Sequence, residues 1–299
     1  MKHPLLALLA LCITSCTFAS HTASAEPPRP TLLEFTLAKT NIGLGEPIVV
    51  KYKFTNLENR RVNIYMGRTE SSWLTMKLSD ASGRPVQSSP NAKPTRGGIF
   101  TNGTTADPNG QEQGYIVVSR RLQPTAPGQY RLSLSTHLTY TWDDTSGEKT
   151  VDDQTFSLPI TVTARNAQQL HTLAESFRQT VLHDPKVADY QFATRALFSM
   201  HDPDVLPVWR ELAADPGLDP WKALDAAREL AQVGSTSAAD LLMQMQHVAP
   251  ERWSQMGDDP LDALEGMRQG TNPELDQHIN QLLVANGFEL RHIPVGSAN

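Results

Sequence analysis

Hydrophobic and polar residues alternate one by one through the first half of the chain. In the run from Ile48 to Thr55, the residues Ile48, Val50, Tyr52 and Phe54 fall on one side, while lysine and threonine fall on the other. A period of two residues is typical of a β-strand with one buried and one solvated face. Similar short runs recur between turn residues up to about residue 164, and they predict seven or eight strands in an antiparallel sandwich.

After residue 165 the apolar positions recur every three or four residues, as in Leu170, Leu173, Phe177 and Val181. This period predicts amphipathic helices. Asp-Pro or Asn-Pro pairs punctuate the helical half, and each pair predicts a capping residue followed by the first residue of a helix. The pairs are Asp184-Pro185, Asp202-Pro203, Asp219-Pro220, Asp259-Pro260 and Asn272-Pro273.

These Asp-Pro and Asn-Pro pairs divide the second half into predicted helical hairpins. Residues 188 to 200 pair with 204 to 214, residues 219 to 232 with 237 to 249, and residues 260 to 269 with 273 to 286. Such a spacing is typical of stacked helical repeats. The stretch from Asp202 to Leu212, followed by Asp219-Pro220 and by Ala223 to Ala227, resembles HEAT-type repeats over about residues 184 to 287. This resemblance implies an extended surface for binding another macromolecule.

A more specific signal in the first half is the stretch from Pro127 to Leu132. A Pro-Gly turn leads into a strand that opens with Tyr130, and this arrangement resembles the tyrosine corner of immunoglobulin-like domains. In that motif the phenol bonds back to the nearby backbone. Residues 31 to 164 are thus similar to a bacterial immunoglobulin-like domain. The disulfide of antibody domains is absent, because both cysteines, Cys12 and Cys16, precede this region.

The first 25 residues resemble a secretory signal peptide. An apolar run from Leu5 to Ile13 follows a basic start, and Ala23-Ser24-Ala25 has the small-x-small form that signal peptidases cut. The four residues that end at Cys16 also resemble a bacterial lipobox, which implies a lipid anchor on Cys16. Both alternatives predict export to the periplasm, as a soluble or as a lipid-anchored protein. No later stretch is apolar enough for a transmembrane helix.

Charge is unevenly divided between the halves. Residues 26–164 carry 15 Lys and Arg against 13 Asp and Glu, whereas residues 165–299 carry 10 against 19. The contrast supports a boundary near Arg165, with a β-domain at 31–164, a helical domain at 166–287 and a tail at 288–299. An acidic helical half without a basic stripe argues against nucleic acid as a partner.

One long stretch, from Ser88 to Gly114, interrupts the rhythm of the strands with Pro, Gly, Asn and Thr. Loops of this length within compact domains are uncommon and tend to be functional or disordered. We select Arg96, Ile99 and Phe100 as candidate partner-binding residues. The alternative is a loop without a binding role, in which the two apolar residues cap the sandwich.

Two His-Asp-Pro repeats, at His183-Asp184-Pro185 and His201-Asp202-Pro203, raise the possibility of catalysis or metal binding. We favour a structural interpretation, in which both aspartates are helix caps and each histidine closes the preceding helix, where a cation suits the helix dipole. The acidic runs Asp143-Asp144 and Asp152-Asp153 offer oxygen ligands for calcium, although such residues at hairpin tips are usually just solvated. The sequence contains no HExxH, P-loop or GxSxG motif. We therefore predict no catalytic residue, no metal and no cofactor.

These features predict an exported two-domain protein, in which an all-β immunoglobulin-like sandwich precedes all-α HEAT-like helical hairpins. The first functional hypothesis is a non-enzymatic binding protein of the bacterial cell envelope, acting as a scaffold or adaptor for a protein partner. The second is an inhibitor or immunity-type protein that blocks an envelope hydrolase through the 88–114 loop. The third is a hydrolase that uses His183, His201 and nearby carboxylates. By default we expect Trp73, Trp209, Trp221 and Trp253 to lie in the cores.

Overall fold

The computed structural model describes residues 30–66, 73–86, 103–143, 147–250, 253, 260–268 and 272–288. Within these ranges a β-rich region is followed by seven helices. We call residues 30–163 the β region and residues 166–288 the helical region. None of the helices in the described ranges is long and apolar enough to cross a lipid bilayer.

The β region contains nine strands in its described part. Their bounds are Thr31–Leu37 (β1), Asn41–Gly43 (β2), Val49–Asn56 (β3), Val62–Tyr65 (β4), Leu74–Asp80 (β5), Thr104–Ala106 (β6), Gln111–Val117 (β7), Gly128–Trp142 (β8) and Lys149–Thr163 (β9). One antiparallel sheet has the order β1-β3-β7, and the other six strands form a second sheet around β8 and β9. All the pairings are antiparallel except that of β2 with β9.

The alternating pattern places apolar side chains of both sheets in one hydrophobic core. Along β3, Val50 and Phe54 are fully buried whereas Lys51 is exposed. Leu132 and Leu138 of β8 are buried in the same cluster. Removal of this apolar surface from water is the main force that holds the β region together.

Two details of the strand prediction were wrong. In place of the short strands expected, Leu132 and Tyr140 lie on one 15-residue strand, β8, which pairs with β5 along its first part and with β4 along its last part. Strands β2 and β6 have three residues each, too few to show an alternation in the sequence. Since β6 and the start of β7 lie between residues 103 and 114, the described end of the predicted long loop is largely sheet.

The predicted tyrosine corner is present. The Tyr130 hydroxyl donates a hydrogen bond of 2.8 Å to the carbonyl oxygen of Ala126, four residues upstream. The bond fixes the chain where it enters β8, the central strand of the second sheet.

The first helix begins four residues after β9 ends. The helices are Ala167–His183 (α1), Val187–Phe198 (α2), Leu206–Ala213 (α3), Pro220–Val233 (α4), Thr236–Val248 (α5), Pro260–Met267 (α6) and Pro273–Ala285 (α7). Two predicted caps are confirmed, since the side chains of Asp219 and Asn272 accept backbone N–H groups in the first turns of α4 and α7, and Asn166 caps α1 in the same way. Gly234 ends α4 in the left-handed conformation, with φ of 62°, as expected of a C-terminal glycine.

The helices lie in two layers. Helices α2, α4 and α6 are neighbours in one layer, and α1, α3, α5 and α7 follow one another in the other. The most extensive helix packing is between α1 and α2, so α2 pairs with α1, which the predicted hairpins left out, and not with α3 as predicted. One continuous apolar cluster runs between the layers and includes Trp209 and Trp253.

Candidate functional site

Four residues selected from the sequence lie outside the described residues. These are Cys16, the candidate lipid anchor, and Arg96, Ile99 and Phe100 of the candidate binding loop. Their roles stay predictions. The candidate site within the described residues lies in the helical region and at its contacts with the β region.

A short 3-10 turn, Val118–Arg120, brings the end of β7 against the end of α2. The Ser119 hydroxyl accepts a 3.0 Å hydrogen bond from the Ile48 amide and lies 3.2 Å from the Ser199 hydroxyl. The Gln123 side chain donates to the carbonyl oxygen of Ser199. Since Ser119 and Ser199 are buried, this polar contact is shielded from water, and its loss would leave buried polar atoms unpaired.

Arg120 extends the same contact to α4. Its guanidinium lies 2.8 Å from a carboxylate oxygen of Glu229 and also donates to Gln232. Arg195 of α2 approaches the other oxygen of Glu229 at 3.7 Å. The Glu229 side chain is 12% exposed, so one largely buried carboxylate holds a guanidinium from each region.

A second ion pair fixes the linker between the regions. The Arg165 guanidinium forms two parallel hydrogen bonds with the Asp202 carboxylate, at 2.8 and 2.7 Å, and it also contacts Asp204. The hydrogen bonds from Arg165 lower the pKa of Asp202, which is 8% exposed. Nearby, Gln169 in the first turn of α1 donates to Glu46 of the β region.

An aromatic contact completes the junction. Tyr115 of β7 lies against Phe192 of α2 with ring centroids 4.7 Å apart, and Phe192 meets Phe177 of α1 edge to face. Together with the buried serines and the two ion pairs, this contact fixes the orientation of the two regions. We call these contacts the joint.

Helices α2 and α4 run side by side in a constant register. Gln191 donates a 3.0 Å hydrogen bond to Asp225, and one turn later Arg195 lies 3.7 Å from Glu229. Both pairs are 34 residues apart in the sequence. We call this line of paired residues the α2–α4 seam.

The end of the α2–α4 seam at which both helices begin carries two exposed apolar side chains. Val187 lies one turn before Gln191 and Trp221 lies one turn before Asp225, so the same register places Val187 beside Trp221. Val187 is 55% exposed and Trp221 is 65% exposed. The prediction that Trp221 lies in a core was wrong, whereas Trp73, Trp209 and Trp253 are buried as expected.

A buried lysine, Lys222, lies at this end of the seam and bonds to the turn between α1 and α2. The Lys222 ammonium donates to the backbone carbonyl oxygens of Leu182 and Asp184, at 3.2 and 2.8 Å, and lies 5.1 Å from the centre of the Tyr190 ring. It thus neutralises the negative end of α1 and ties the α1–α2 turn to α4. With Lys222 held beneath the surface, its neighbour Trp221 points to solvent.

The two His-Asp-Pro repeats have structural roles, but their aspartates are not the helix caps that were predicted. Neither Asp184 nor Asp202 caps the following helix. Asp184 accepts the Lys186 amide in a turn, its carbonyl oxygen accepts the Lys222 ammonium, and α2 starts only at Val187. The side chain of Asp202 accepts the Asp204 amide in a turn and is bound by Arg165, and α3 starts four residues later.

The two histidines have separate surroundings. His183 is exposed in the last turn of α1, as predicted. His201 lies three residues beyond the end of α2, and its ring meets Trp209 edge to face at 6.2 Å. Desolvation beside Trp209 lowers the pKa of His201, although the residue as a whole is exposed. No hydrogen bond or ion pair in the described ranges joins the two histidines.

Asp152 and Asp153, which were considered as calcium ligands, lie on opposite faces of strand β9. Asp152 is buried and accepts a hydrogen bond from Gln154, whereas the next residue, Asp153, points to the opposite face and pairs with His137 at 2.7 Å. Asp143 is engaged by Arg61 at 3.5 Å. Among the described residues there is no group of three or more His, Cys, Asp or Glu that could hold a metal ion.

No protein-family model matches the chain, and no curated protein matches it in sequence. Among solved structures, PapD-like domain 7 of human CEP192 is similar over 55% of this chain and 100% of its own, with 12% identity and a TM-score of 0.25. The CARDB domain of a Pyrococcus furiosus protein is similar over 44% and 87%, with 11% identity and a TM-score of 0.24. The sporulation control protein Spo0M of Bacillus subtilis is similar over 50% and 56%, with 13% identity and a TM-score of 0.24. TM-scores of this size carry no argument about function.

Proposed function

We propose that this chain is a non-enzymatic binding protein of the bacterial cell envelope, and that it acts as a scaffold or adaptor for a protein partner. The observation that carries this proposal is the exposure of Trp221, together with that of Val187, which the register of the α2–α4 seam places beside it. A tryptophan that is exposed at 65% beside another exposed apolar side chain is the kind of residue that dominates protein interfaces.

The exposed area of the Trp221 indole sets the expected contribution of this side chain to the binding free energy. A tryptophan side chain buries roughly 200 Å² when fully enclosed, so covering its exposed part removes on the order of 130 Å² from water. At about 25 cal/mol per Å² this contributes up to about 3 kcal/mol to binding. Truncation of Trp221 to alanine should then weaken the complex by at least about tenfold.

The joint supports the scaffold role. Buried polar contacts between Ser119 and Ser199, and the carboxylate of Glu229 shared by two arginines, hold the β and helical regions in one orientation. A partner bound at the seam is thereby positioned relative to any surface of the β region. We assign the β region to the immunoglobulin-like sandwiches, on the Tyr130 corner and the two sheets, and the helical region to HEAT-like arrays, on the two layers and the 34-residue register.

Residues 1–25 support the proposed location in the envelope. Their pattern resembles a signal peptide that ends at Ala25, or a lipobox that ends at Cys16. An intact-mass measurement on the protein isolated from its host distinguishes a chain that starts at Glu26 from one that starts at a lipidated Cys16. A full-length mass would refute processing at either site.

The binding proposal is tested by parallel pull-downs from the envelope fraction of the host. The baits are the wild type, Trp221→Ala, Val187→Ser and the control Tyr65→Ala, which removes another exposed aromatic side chain, from β4. We expect the wild type and Tyr65→Ala to retain the same stoichiometric protein, and the two seam variants to lose it. Equal retention by all four folded baits, or no partner for any of them, would refute the proposal.

A further inference from the structure

The outer face of the β1-β3-β7 sheet is exposed up to the point where the helical region meets it. On this face Lys51 is exposed, and Tyr115, directly opposite in the β3–β7 register, is 40% exposed. The next pair along the strands, Val49 and Val117, is 8% and 4% exposed, although neither belongs to the core cluster of the β region. Because α2 packs against β7, Lys51 and Tyr115 form the last open row in front of this helix.

Three aromatic rings line the corner between this row and the helices. The ring of Phe192, in α2, lies 4.7 Å from that of Tyr115, and Phe177 of α1 meets Phe192 edge to face. Both phenylalanines are half-buried, so solvent still reaches each of them. We call Lys51 and these three aromatic residues the aromatic corner.

The positive charge of Lys51 is not compensated by a neighbouring carboxylate. Its ammonium lies 5.8 Å from the centre of the Tyr115 ring, and no ion pair joins it to an acidic residue in the part of the chain that the structure describes. Lys53, two residues further along the same face, is instead bound to Glu34 at 2.6 Å. The aromatic corner thus combines an apolar wall with an accessible and uncompensated cation.

This combination fits an extended segment in which a carboxylate and an apolar side chain are two residues apart. Such side chains lie on the same face of the segment, about 7 Å from each other, which is close to the 5.8 Å between the Lys51 ammonium and the Tyr115 ring. The carboxylate balances the single charge of Lys51, and the apolar side chain covers aromatic surface. Phosphorylated segments, in contrast, are usually bound by clusters of arginine.

We propose that the aromatic corner is a docking site for an acidic segment of a protein partner. An aspartate or glutamate of this segment meets Lys51, and an apolar side chain two residues away packs against Tyr115 and Phe192. The rings supply contact area, and the charge of Lys51 selects acidic segments. The corner and the α2–α4 seam lie on different sides of α2, because Phe192 follows Gln191 directly and adjacent residues of a helix point about 100° apart. Either proposal can therefore fail without the other.

A titration followed by the NMR chemical shifts of the backbone amides of the folded protein tests the proposal. The probe is the blocked pentapeptide Ser-Phe-Thr-Glu-Ser, in which phenylalanine and glutamate share one face, and its matched control has glutamine in place of glutamate. We expect both peptides to shift the amides of Lys51, Tyr115 and Phe192. At low salt the glutamate peptide should bind roughly threefold more tightly, and added salt should reduce this preference, because an exposed charge pair is weak and is screened by ions.

Substitution of Lys51 tests the origin of this preference. Lys51→Met keeps the aliphatic part of the side chain and removes the charge, so the two peptides should bind this variant equally. The matched control is Lys77→Met, which removes an exposed lysine from β5 in the other sheet and should retain the preference of the wild type. Both lysines are exposed, so we expect both variants to fold.

Three results of these titrations would overturn the proposal. They are the absence of shifts at the aromatic corner, equal affinity of the wild type for the two peptides, and a preference for glutamate that survives in Lys51→Met. Inorganic phosphate that produces the same shifts at the same concentration would assign the corner to simple anions and overturn the choice of a protein segment. Shifts of the corner amides that grow with protein concentration in the absence of peptide would assign it to a second copy and overturn the choice of partner.

Discussion

Replacing Asp202 with asparagine tests the ion pair that ties the interregion linker to the helical region. The change keeps the size of the side chain and removes the charge that Arg165 binds through two hydrogen bonds of 2.8 and 2.7 Å. Asp204 contacts the same guanidinium from a position that is 45% exposed. Asp204→Asn is therefore a matched control, with the same chemistry and the same partner but more solvent.

The expected magnitudes differ because of burial. The Asp202 side chain is 9% exposed, and hydrogen bonds to charged groups contribute about 1.5–3 kcal/mol each to stability when they are shielded. Asparagine retains part of this bonding, so we expect a loss of about 2 kcal/mol in the free energy of unfolding. The exposed pair with Asp204 is of the surface type, for which about 0–1 kcal/mol is usual.

The assay is urea unfolding of the wild type and both variants over a range of pH. Arg165 lowers the pKa of Asp202, so the ionised carboxylate stabilises the folded state at any pH above the unfolded value of about 3.9. This stabilisation is lost as the pH falls through the folded value, because the unfolded chain then takes up the proton more readily than the folded chain. The gap between wild type and Asp202→Asn should thus be full near neutral pH and shrink below about pH 4.

Two results would refute this reasoning. Equal destabilisation by Asp202→Asn and Asp204→Asn would mean that burial does not decide the strength of the pair. A gap between wild type and Asp202→Asn that stays constant to low pH would mean that the charge of Asp202 is not the source of the stability.

Two further substitutions test contacts elsewhere in the molecule, each with a control of the same residue type. Lys222→Met leaves the two backbone carbonyls at the end of α1 without their donor, and we expect a loss of about 2 kcal/mol in urea unfolding, against little change for the exposed Lys186→Met. Tyr130→Phe removes the 2.8 Å bond to the Ala126 carbonyl and should cost about 1 kcal/mol, whereas Tyr65→Phe, at an exposed position, should cost nothing measurable. Equal effects within either pair would show that the hydrogen bond in question does not stabilise the fold.

Local patterns were enough to predict most of the secondary structure. The alternation along β3 and the Pro-Gly-x-Tyr sequence before Leu132 depend on residues that are close in the chain, and the structure bears out both. The caps at Asp219 and Asn272 succeeded for the same reason, since each side chain bonds to amides two or three residues away.

Distant partners explain where the prediction failed. Asp202 accepts the amide of Asp204, two residues away, as a capping aspartate does, but Arg165, 37 residues away, binds the same carboxylate, and α3 starts only at Leu206. The contacts of the joint span still larger separations, 80 residues for Ser119 with Ser199 and 109 for Arg120 with Glu229. A single sequence contains no signal for such pairs.

The exposure of Trp221 could have been predicted from the helical periodicity of α4. The buried stripe of α4 includes Ala223, Leu224, Ala227 and Leu230, and position 221 falls on the opposite side of a helix with 3.6 residues per turn. Helical periodicity alone therefore places Trp221 towards solvent. The prediction that Trp221 lies in a core was based instead on the general preference of tryptophan for buried positions.

The most direct test of the binding account is the dissociation constant of the partner retained in the pull-down. It would be measured by titration calorimetry for the wild type, Trp221→Ala and the control Tyr65→Ala. We predict a dissociation constant at least about tenfold higher for Trp221→Ala, and a value within about twofold of the wild type for Tyr65→Ala. Equal affinities for all three folded proteins would contradict the account, because the partner would then bind without covering the seam.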